Sequence, residues 1–563
     1  MRRRGIIINT AIGFGFFIVL LRLADIMVLN HERLAHRAKV QQMKGEDIQV
    51  MRGIIFDRHG REMAVNLETE ALYCDPAEVA SAEQSAYTLS GITRQPSKAI
   101  FTKLSSEGRF AWVSRKLEPD IARRVKEAKI KGLGFLPDAK RFYPKGYLAA
   151  HVLGLVDIDN KGIDGIELKY QGVLTTNGAR VFLSRDASGK TLSQGVDMEY
   201  KGKNLILTLD EGLQYMVENE LDKAMDKWRA RAAVAVMMDP STGEILALAN
   251  RPSFNPNSIA GSNDFERRNR AITDCYEPGS TFKIIVGTAA LEEKLVSLDT
   301  PFDCSRGLIE IGRRVVHDAH RNGHLTFKEV IQKSSNVGSI MVGLRLGKER
   351  IYKYAKAFGF GDKTGVDLPG EASGLIRPPE RWSGVSIGSV PIGQEVAVTP
   401  LQILRAYSAV ANGGFLVRPH VVSRIEDPDG RPVWTFSGDK TRVISQKTAE
   451  TFREILKTVT EEGGTAKSAS VDGNLVAGKT GTAQMIDPRT KRYSAEKYIS
   501  SFVGFVPAND PKIAMIVVIY EPKGQIYGGV VAAPVFKQIA ENALSYLEVP
   551  REDIRSEMLV VTR

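Results

Sequence analysis

The sequence predicts an α+β protein of more than one domain, and three observations carry that reading. The chain has 563 residues, more than one ordinary domain needs. Its composition, 43% hydrophobic and 25% charged, is that of a globular protein able to build a large core. Its C-terminal part reads as strands, then many helices, then strands again. That order suits a sheet whose strands come from both ends of the segment and pack against helices.

Taken in order, the chain begins with Arg2, Arg3 and Arg4 ahead of GIIINTAIGFGFFIVLL, Gly5 to Leu21, 17 residues without a charge. That length just spans a bilayer, with Arg22 and Asp25 near the far interface. The leading arginines predict a cytoplasmic N-terminus. A cleaved signal peptide shares the basic and apolar regions, but no good small-x-small cleavage site follows Leu21, so an uncleaved single-pass anchor is expected. Later apolar runs such as AMIVVIY (514–520) have strand length. Everything from about residue 32 is therefore expected outside the cytoplasm, by the same orientation rule.

A polar stalk, HERLAHRAKVQQMKGED, is expected to be helical. RGIIFDRHGREMAVN (52–66) reads as strand, turn at Asp57–Gly60, strand. Arg52, Gly53, Asp57, Arg58 and Gly60 are taken as architecture, since Asp and Gly suit tight turns. Residues 75–145 mix charged helical patterns with short strands. ASGKTLSQ (187–194) and YKGKN (200–204) look like linkers, which places a boundary near residue 200. The expected division is 1–31 tip and anchor, 32–200 first extracytoplasmic domain, 201–547 second domain, and 548–563 tail. In the second domain EGLQYMVENELDKAMDKW reads as a helix, and AAVAVMMDPSTGEILALAN (232–250) as a hairpin turning at Pro240 and Gly243. NLVAGKTGTAQ, SSFVGFVPA and KIAMIVVIYE read as three further strands, with helices between, including FKEVIQKSSNVGSIMVGLRL.

The net charge of +11 is spread along the chain and reads as a solvated basic surface. No zinc knuckle, helix-turn-helix or aromatic-basic repeat supports nucleic acid. Three cysteines, Cys74, Cys275 and Cys304, make neither a disulfide framework nor a zinc site. Buried free thiols are the expectation, with a Cys275–Cys304 bridge the alternative outside the cytoplasm.

Chemistry concentrates in three motifs. Ser280 and Lys283 lie three apart where a helix begins in YEPGSTFKIIVG, with Pro278 suited to the first turn. The run FKIIVGTAAL is apolar nearly all round, so the helix should be buried and Lys283 should lose water, which favours its neutral form. A hydroxyl nucleophile needs such a base. Two other Ser-x-x-Lys pairs, Ser437–Lys440 and Ser494–Lys497, lie in polar surroundings and read as loops. Ser334 and Asn336 in KSSNVGS supply a hydroxyl and an amide two residues apart; alone, Ser334 reads equally as a cap. Lys-Thr-Gly occurs twice. Lys363–Gly365 has no strand around it; Lys479–Gly481 is on a predicted strand, where Lys479 and Gly481 share one face and Thr480 and Thr482 the other. Gly481 permits close approach to the backbone.

Ser-x-x-Lys, Ser-x-Asn and Lys-Thr-Gly in that order form a specific constellation. With the anchor, RGIIFDRHG, RFYPKG, GIDGIE, NRAITDCYEPGSTFK, VTPLQ and AGKTGTAQ, the chain resembles the class B penicillin-binding proteins along nearly its whole length. Asn336, where elongation-type relatives typically carry Asp, favours the division-specific type. The lack of repeated C-terminal modules leans toward the module-free type. The resemblance implies a serine β-lactamase-like transpeptidase domain, an antiparallel sheet packed with helices, on an elongated α+β pedestal of the dimerisation type.

It further implies a D,D-transpeptidase of septal wall synthesis. Its substrate would be peptidoglycan stem peptides ending in D-Ala–D-Ala, and β-lactams would acylate it. Ser280 would be the nucleophile, Lys283 the base, Ser334 a proton relay, and Asn336 a partner of Lys283 and the substrate amide. Lys479, Thr480, Gly481 and Thr482 would bind substrate, and the backbone N–H groups of Ser280 and Thr482 would form the oxyanion hole. No metal or cofactor is implied. Partners would be a membrane-embedded glycan polymerase and other division proteins, in the inner membrane. A D,D-carboxypeptidase uses the same serine, and a silent scaffold would have lost one of these residues; a β-lactamase is shorter and lacks the pedestal.

Overall fold

The computed structural model describes residues 2–25, 27, 30, 43–47, 51–175, 180–185, 191–196, 202–487, 489–490 and 492–552. An N-terminal helix covers Arg2–Ala24, and its stretch Ile6–Ala24 is the one described helix long and apolar enough to cross a membrane. Arg22 pairs with Asp25 at 2.7 Å near its end.

The rest forms two compact units. The smaller comprises Met1–Arg52, Asn66–Lys140 and Thr175–Gly202, and the larger Gly53–Val65, Arg141–Leu174 and Lys203–Arg563. The smaller unit packs helices Ala82–Thr93, Ser97–Leu104 and Pro119–Glu127 around Leu72, Leu89, Val113 and Val125. It also contains a three-stranded sheet, Met43–Asp47, Arg180–Arg185 and Thr191–Val196. This corrects two expectations. Residues 43–47, read as the end of a helical stalk, are a strand, and so is the second half of the segment read as a linker at 187–194; cross-strand pairing decides where local composition does not. The rest of the stalk, the remainder of that linker segment and the tail beyond residue 552 lie outside the described residues.

Gly53–Val65 and Arg141–Leu174, assigned from sequence to the pedestal, belong to the larger unit. The physical reason is shared core: Ile55, Met63, Tyr143, Leu153 and Ile166 join the main apolar cluster of the larger unit. A buried ion pair, Arg141 to Glu167 at 2.7 Å, holds the RFYPKG and GIDGIE segments together. The 57–61 turn forms as expected: Asp57 accepts from the N–H groups of His59 and Arg61, and Gly60 has φ +80°.

The larger unit is organised by five antiparallel strands, β1 (Ala232–Met238), β2 (Ile245–Arg251), β3 (Ala477–Ile486), β4 (Tyr493–Val506) and β5 (Ile513–Tyr520), in the order β2-β1-β5-β4-β3. Both faces are covered, so β1 and β5 read as unbroken apolar runs. Ala233, Ala235, Met515 and Val517 meet α1 (Glu211–Trp228) and α6 (Ala533–Tyr546). Val234, Val236, Ile516 and Val518 face the helical core on the other side. That core contains α2 (Lys283–Glu292), α3 (Asn336–Leu346), α4 (Pro400–Ala411) and α5 (Gln446–Thr458). β3, the carrier of Lys479, is an edge strand, and the hairpin β1–β2 turns at Asp239–Glu244 with Gly243 at φ +84°.

Candidate active site

The first motif enters as a 3₁₀ turn, Gly279–Phe282, and becomes the α-helix α2 at Lys283. Pro278 caps that turn instead of lying within it, and Gly279 takes φ +55° between Pro278 and Ser280. Only a residue without Cβ fits there comfortably: a Cβ on Gly279 would lie 3.0 Å from the Thr482 carbonyl oxygen. Two bonds hold the turn from inside, Thr281 Oγ1 to the Pro278 carbonyl at 2.9 Å and Tyr407 hydroxyl to the Thr281 carbonyl at 3.0 Å. Ser280 is half-buried, and every residue of α2 from Lys283 to Ala290 is buried, as the apolar pattern predicts.

The second motif is a break between two helices. FKEVIQKSSNVGSIMVGLRL is helical, but as Phe327–Gln332 and then α3. Ser334 lies between them with φ +58°, a left-handed conformation that is strained for a residue other than glycine. Asp318 fastens the start of α3. Its Oδ1 accepts from the backbone N–H of Asn336 at 2.5 Å and of Val337 at 3.0 Å, and its Oδ2 accepts from the Ser335 hydroxyl at 2.8 Å. Asn336 donates in turn to the His317 carbonyl at 3.1 Å.

Lys283 joins the two motifs. Its Nζ lies 2.7 Å from the Ser334 carbonyl, 3.0 Å from Asn336 Oδ1, 3.2 Å from Ser334 Oγ and 3.2 Å from the Ser335 carbonyl. Burial pushes its pKa down to about 7, against an opposing pull from the Asp318 charge.

The third motif lies on β3 against the first. A Cβ on Gly481 would sit 2.4 Å from Ser501 Oγ and 3.1 Å from the Pro278 carbonyl oxygen, so the expected close approach is made by the turn that carries Ser280. Lys479 is 1% exposed, and its pKa falls well below the ordinary lysine value through burial and the nearby Lys283 charge. Its nearest partners are the Thr480 carbonyl and hydroxyl, each at 3.4 Å, beyond good hydrogen-bond length. Thr480 Oγ1 bonds Thr465 Oγ1 at 3.0 Å, and Thr482 Oγ1 accepts from the Gly528 N–H at 3.1 Å.

The other candidates separate cleanly. Lys363–Gly365 lies in a strandless segment. Ser494–Lys497, read as a loop, is instead the exposed outer end of β4, where Lys497 pairs with Glu521 at 3.6 Å; pairing with β3 extends the strand into polar sequence. All three cysteines are free thiols; Cys74 and Cys304 are buried, but Cys275 is exposed, contrary to expectation. Asp318, Thr465 and Gly528 were missed by sequence reasoning. No spacing pattern links them to the motifs they touch.

A half-buried serine, a buried lysine of lowered pKa one turn on, a hydroxyl and amide on that lysine and a second lysine on an adjacent edge strand define a serine acyltransferase site. Residues 233–541 match the family model of the penicillin-binding protein transpeptidase domain, and residues 47–207 that of the penicillin-binding protein dimerisation domain. The chain belongs to the class B penicillin-binding proteins. It is 36% identical to stage V sporulation protein D of Bacillus subtilis, over 96% of this chain and 85% of that one. It is 32% identical to the peptidoglycan D,D-transpeptidase FtsI of Escherichia coli, over 94% and 89%. Among solved structures, penicillin-binding protein 3 of Mycobacterium tuberculosis in complex with aztreonam superposes with a TM-score of 0.70 at 31% identity, covering 89% of this chain and 97% of that one.

Proposed function

We propose that the protein is a peptidoglycan D,D-transpeptidase that works through an acyl-enzyme on Ser280. The observation that carries this reading is the Lys283 environment. A neutral amine has two protons and one lone pair. The Ser334 and Ser335 carbonyls and Asn336 Oδ1 are pure acceptors at 2.7, 3.2 and 3.0 Å, so they hold the amine by its protons. A pKa of about 7 populates the neutral amine near neutrality, and its lone pair is what takes a hydroxyl proton.

In the reaction, Ser280 Oγ attacks the carbonyl between the two D-alanines and its proton passes to Lys283. Negative charge on the carbonyl oxygen is held by the backbone N–H groups of Ser280 and Thr482. The tetrahedral adduct collapses, the C–N bond breaks, and the leaving D-alanine amine takes a proton through Ser334. An amine from a neighbouring stem peptide then attacks the ester, loses a proton to the same relay, and releases Ser280 as the cross-link forms. Asn336 also orients the substrate amide. Lys479 supplies the cation for the terminal carboxylate, with the Thr480 and Thr482 hydroxyls as donors and Gly481 leaving room for the backbone.

The helix Arg2–Ala24 serves as membrane anchor, with Arg2–Arg4 on the cytoplasmic side and the catalytic unit outside. The septal role, with a membrane-embedded glycan polymerase and other division proteins as partners, rests on the family resemblance. The deciding experiment is intact-mass analysis of the detergent-solubilised chain after penicillin G, beside Ser280→Ala, followed by a stem peptide with and without an acceptor amine. A stable adduct absent from Ser280→Ala, and amine-dependent product, are expected. No adduct on folded protein overturns the assignment; hydrolysis indifferent to amine makes it a carboxypeptidase.

A further inference from the structure

The nucleophile turn and the β3–β4 hairpin touch at two places, and only the first belongs to the motifs. At the near end the backbone of Gly279 lies against Thr482, and that of Pro278 against Gly481. At the far end, Tyr493 pairs with Ile486 in the hairpin, four residues beyond Thr482 and so roughly 14 Å along the strand. The Tyr493 hydroxyl reaches back to Glu277, three residues before Ser280, and donates to its carboxylate at 2.9 Å from Oε2 and 3.2 Å from Oε1.

Glu277 is held from a second side. Its Oε1 accepts from the backbone N–H of Glu395 at 2.9 Å. Glu395 has φ +60°, and its own Oε2 accepts from Ser386 Oγ at 2.6 Å. Arg314 clamps the same segment by donating to Ser389 Oγ at 2.6 Å and to Gln394 Oε1. Arg314 begins the strand that ends at His317, whose carbonyl holds Asn336. One carboxylate thus ties the chain that carries Ser280 to the β3–β4 hairpin and to the 386–395 segment, which Arg314 links in turn to the strand that ends at His317.

We infer that Glu277 is a positioning residue for acylation, and that its bond to Tyr493 is a latch that fixes the far end of the β3–β4 hairpin relative to Ser280. The inference rests on the reading of Ser280 and the Lys479 strand given above. Contact at one point leaves the hairpin free to pivot about Gly481; contact at a second point, some four residues away, removes that freedom. The Tyr493–Glu277 bond is solvent-exposed, so breaking it leaves the core untouched.

The test is the second-order rate constant for penicillin G acylation of the detergent-solubilised full chain, with Tyr493→Phe, Glu277→Ala, Glu277→Gln and Tyr493→Phe/Glu277→Ala. Tyr493→Phe and Glu277→Ala should each slow acylation about tenfold or more, because small misplacements of reacting groups are amplified in the rate. The double variant should be no slower than Glu277→Ala, and Glu277→Gln, whose amide oxygen still accepts both bonds, should recover most of the rate. The melting temperature of Tyr493→Phe should match the parent. Parent-rate acylation by Tyr493→Phe, or effects that multiply in the double variant, overturns the latch. Ser280→Ala separates the two claims: an adduct on that variant sinks the site itself, whereas a silent Tyr493→Phe sinks the latch alone.

Discussion

Ser334 offers Lys283 both of its oxygens, the carbonyl at 2.7 Å and Oγ at 3.2 Å from Nζ. Ser334 makes both contacts from a left-handed conformation, with φ +58°. Strain of this kind persists where surrounding bonds over-determine it. Here those bonds come from Lys283 on one side and from Asp318, through Ser335 and Asn336, on the other. The same serine therefore holds the amine with both of its oxygens, as the proposed proton relay requires.

Acylation should follow the charge of Lys283. With a pKa near 7, its neutral fraction rises between about pH 6 and 8, so the penicillin acylation constant should climb through that window. An inflection near the ordinary lysine value would exclude Lys283 as the base. The linkage sign gives a second check. The folded pKa lies below the unfolded value of 10.5, so the unfolded chain binds more protons between the two, and stability gains with rising pH across that window. Lys283→Met should lose this dependence and melt higher than the parent at pH 7.

Asp318 raises the Lys283 pKa, opposing burial. Asp318→Asn keeps an oxygen for the N–H groups of Asn336 and Val337 but removes the charge, so the acid limb of the acylation profile should move to lower pH. Asp318→Ala leaves those two N–H groups without their partner, at about 1–3 kcal/mol, and should slow acylation at every pH. An unmoved limb in Asp318→Asn would mean that the carboxylate acts by position alone.

Much of this was legible in the sequence, for a definable reason. The β1–β2 hairpin, the buried α2 and the three late strands follow from apolar periodicity and turn residues, which are local signals. The choice of Lys479 over Lys363 followed from the strand around it. What escaped was non-local. Asp318 reaches α3 across 18 residues and Glu277 reaches Tyr493 across 216, with no pattern in between. The strand at 43–47 failed for the same cause, because its partner lies at 180–185. Gly53–Val65 and Arg141–Leu174 fall within the dimerisation-domain match at 47–207 yet cluster with the larger unit, because a core is shared in space and composition along the chain does not register that.

Gly393 should tolerate no side chain. It has φ +77°, and a Cβ there would lie 2.1 Å from the Gly279 carbonyl oxygen, backbone that cannot yield without moving Ser280. Gly393→Ala should slow acylation about a hundredfold, in line with ångström-scale misplacement. Gly463→Ala is the control: it has the same φ of +77° with nothing within 4 Å. It should lose about 1–3 kcal/mol of stability to backbone strain and acylate at the parent rate. Equal acylation by both variants would rule out the clash as the cause.

Lys479 presents a lowered pKa in a site proposed to need a cation. The two are reconciled if the ligand itself restores the charge. In the empty site burial disfavours the ammonium, with Lys283 adding to it only while that amine is charged, so above the lowered pKa Lys479 is neutral. A carboxylate placed beside it favours the charged form, and a proton must enter with the ligand. Calorimetry of penicillin G binding to Ser280→Ala, in buffers of different ionisation enthalpy, should show proton uptake at pH values between the empty-site pKa and the ordinary lysine value of 10.5. Uptake should shrink as the pH falls through the empty-site pKa. Lys479→Met should abolish the uptake and weaken binding about 10- to 100-fold, the worth of a hydrogen bond to a charged group. If binding takes up no proton at any pH below the ordinary lysine value, Lys479 is charged before the ligand arrives, and burial does not set its state.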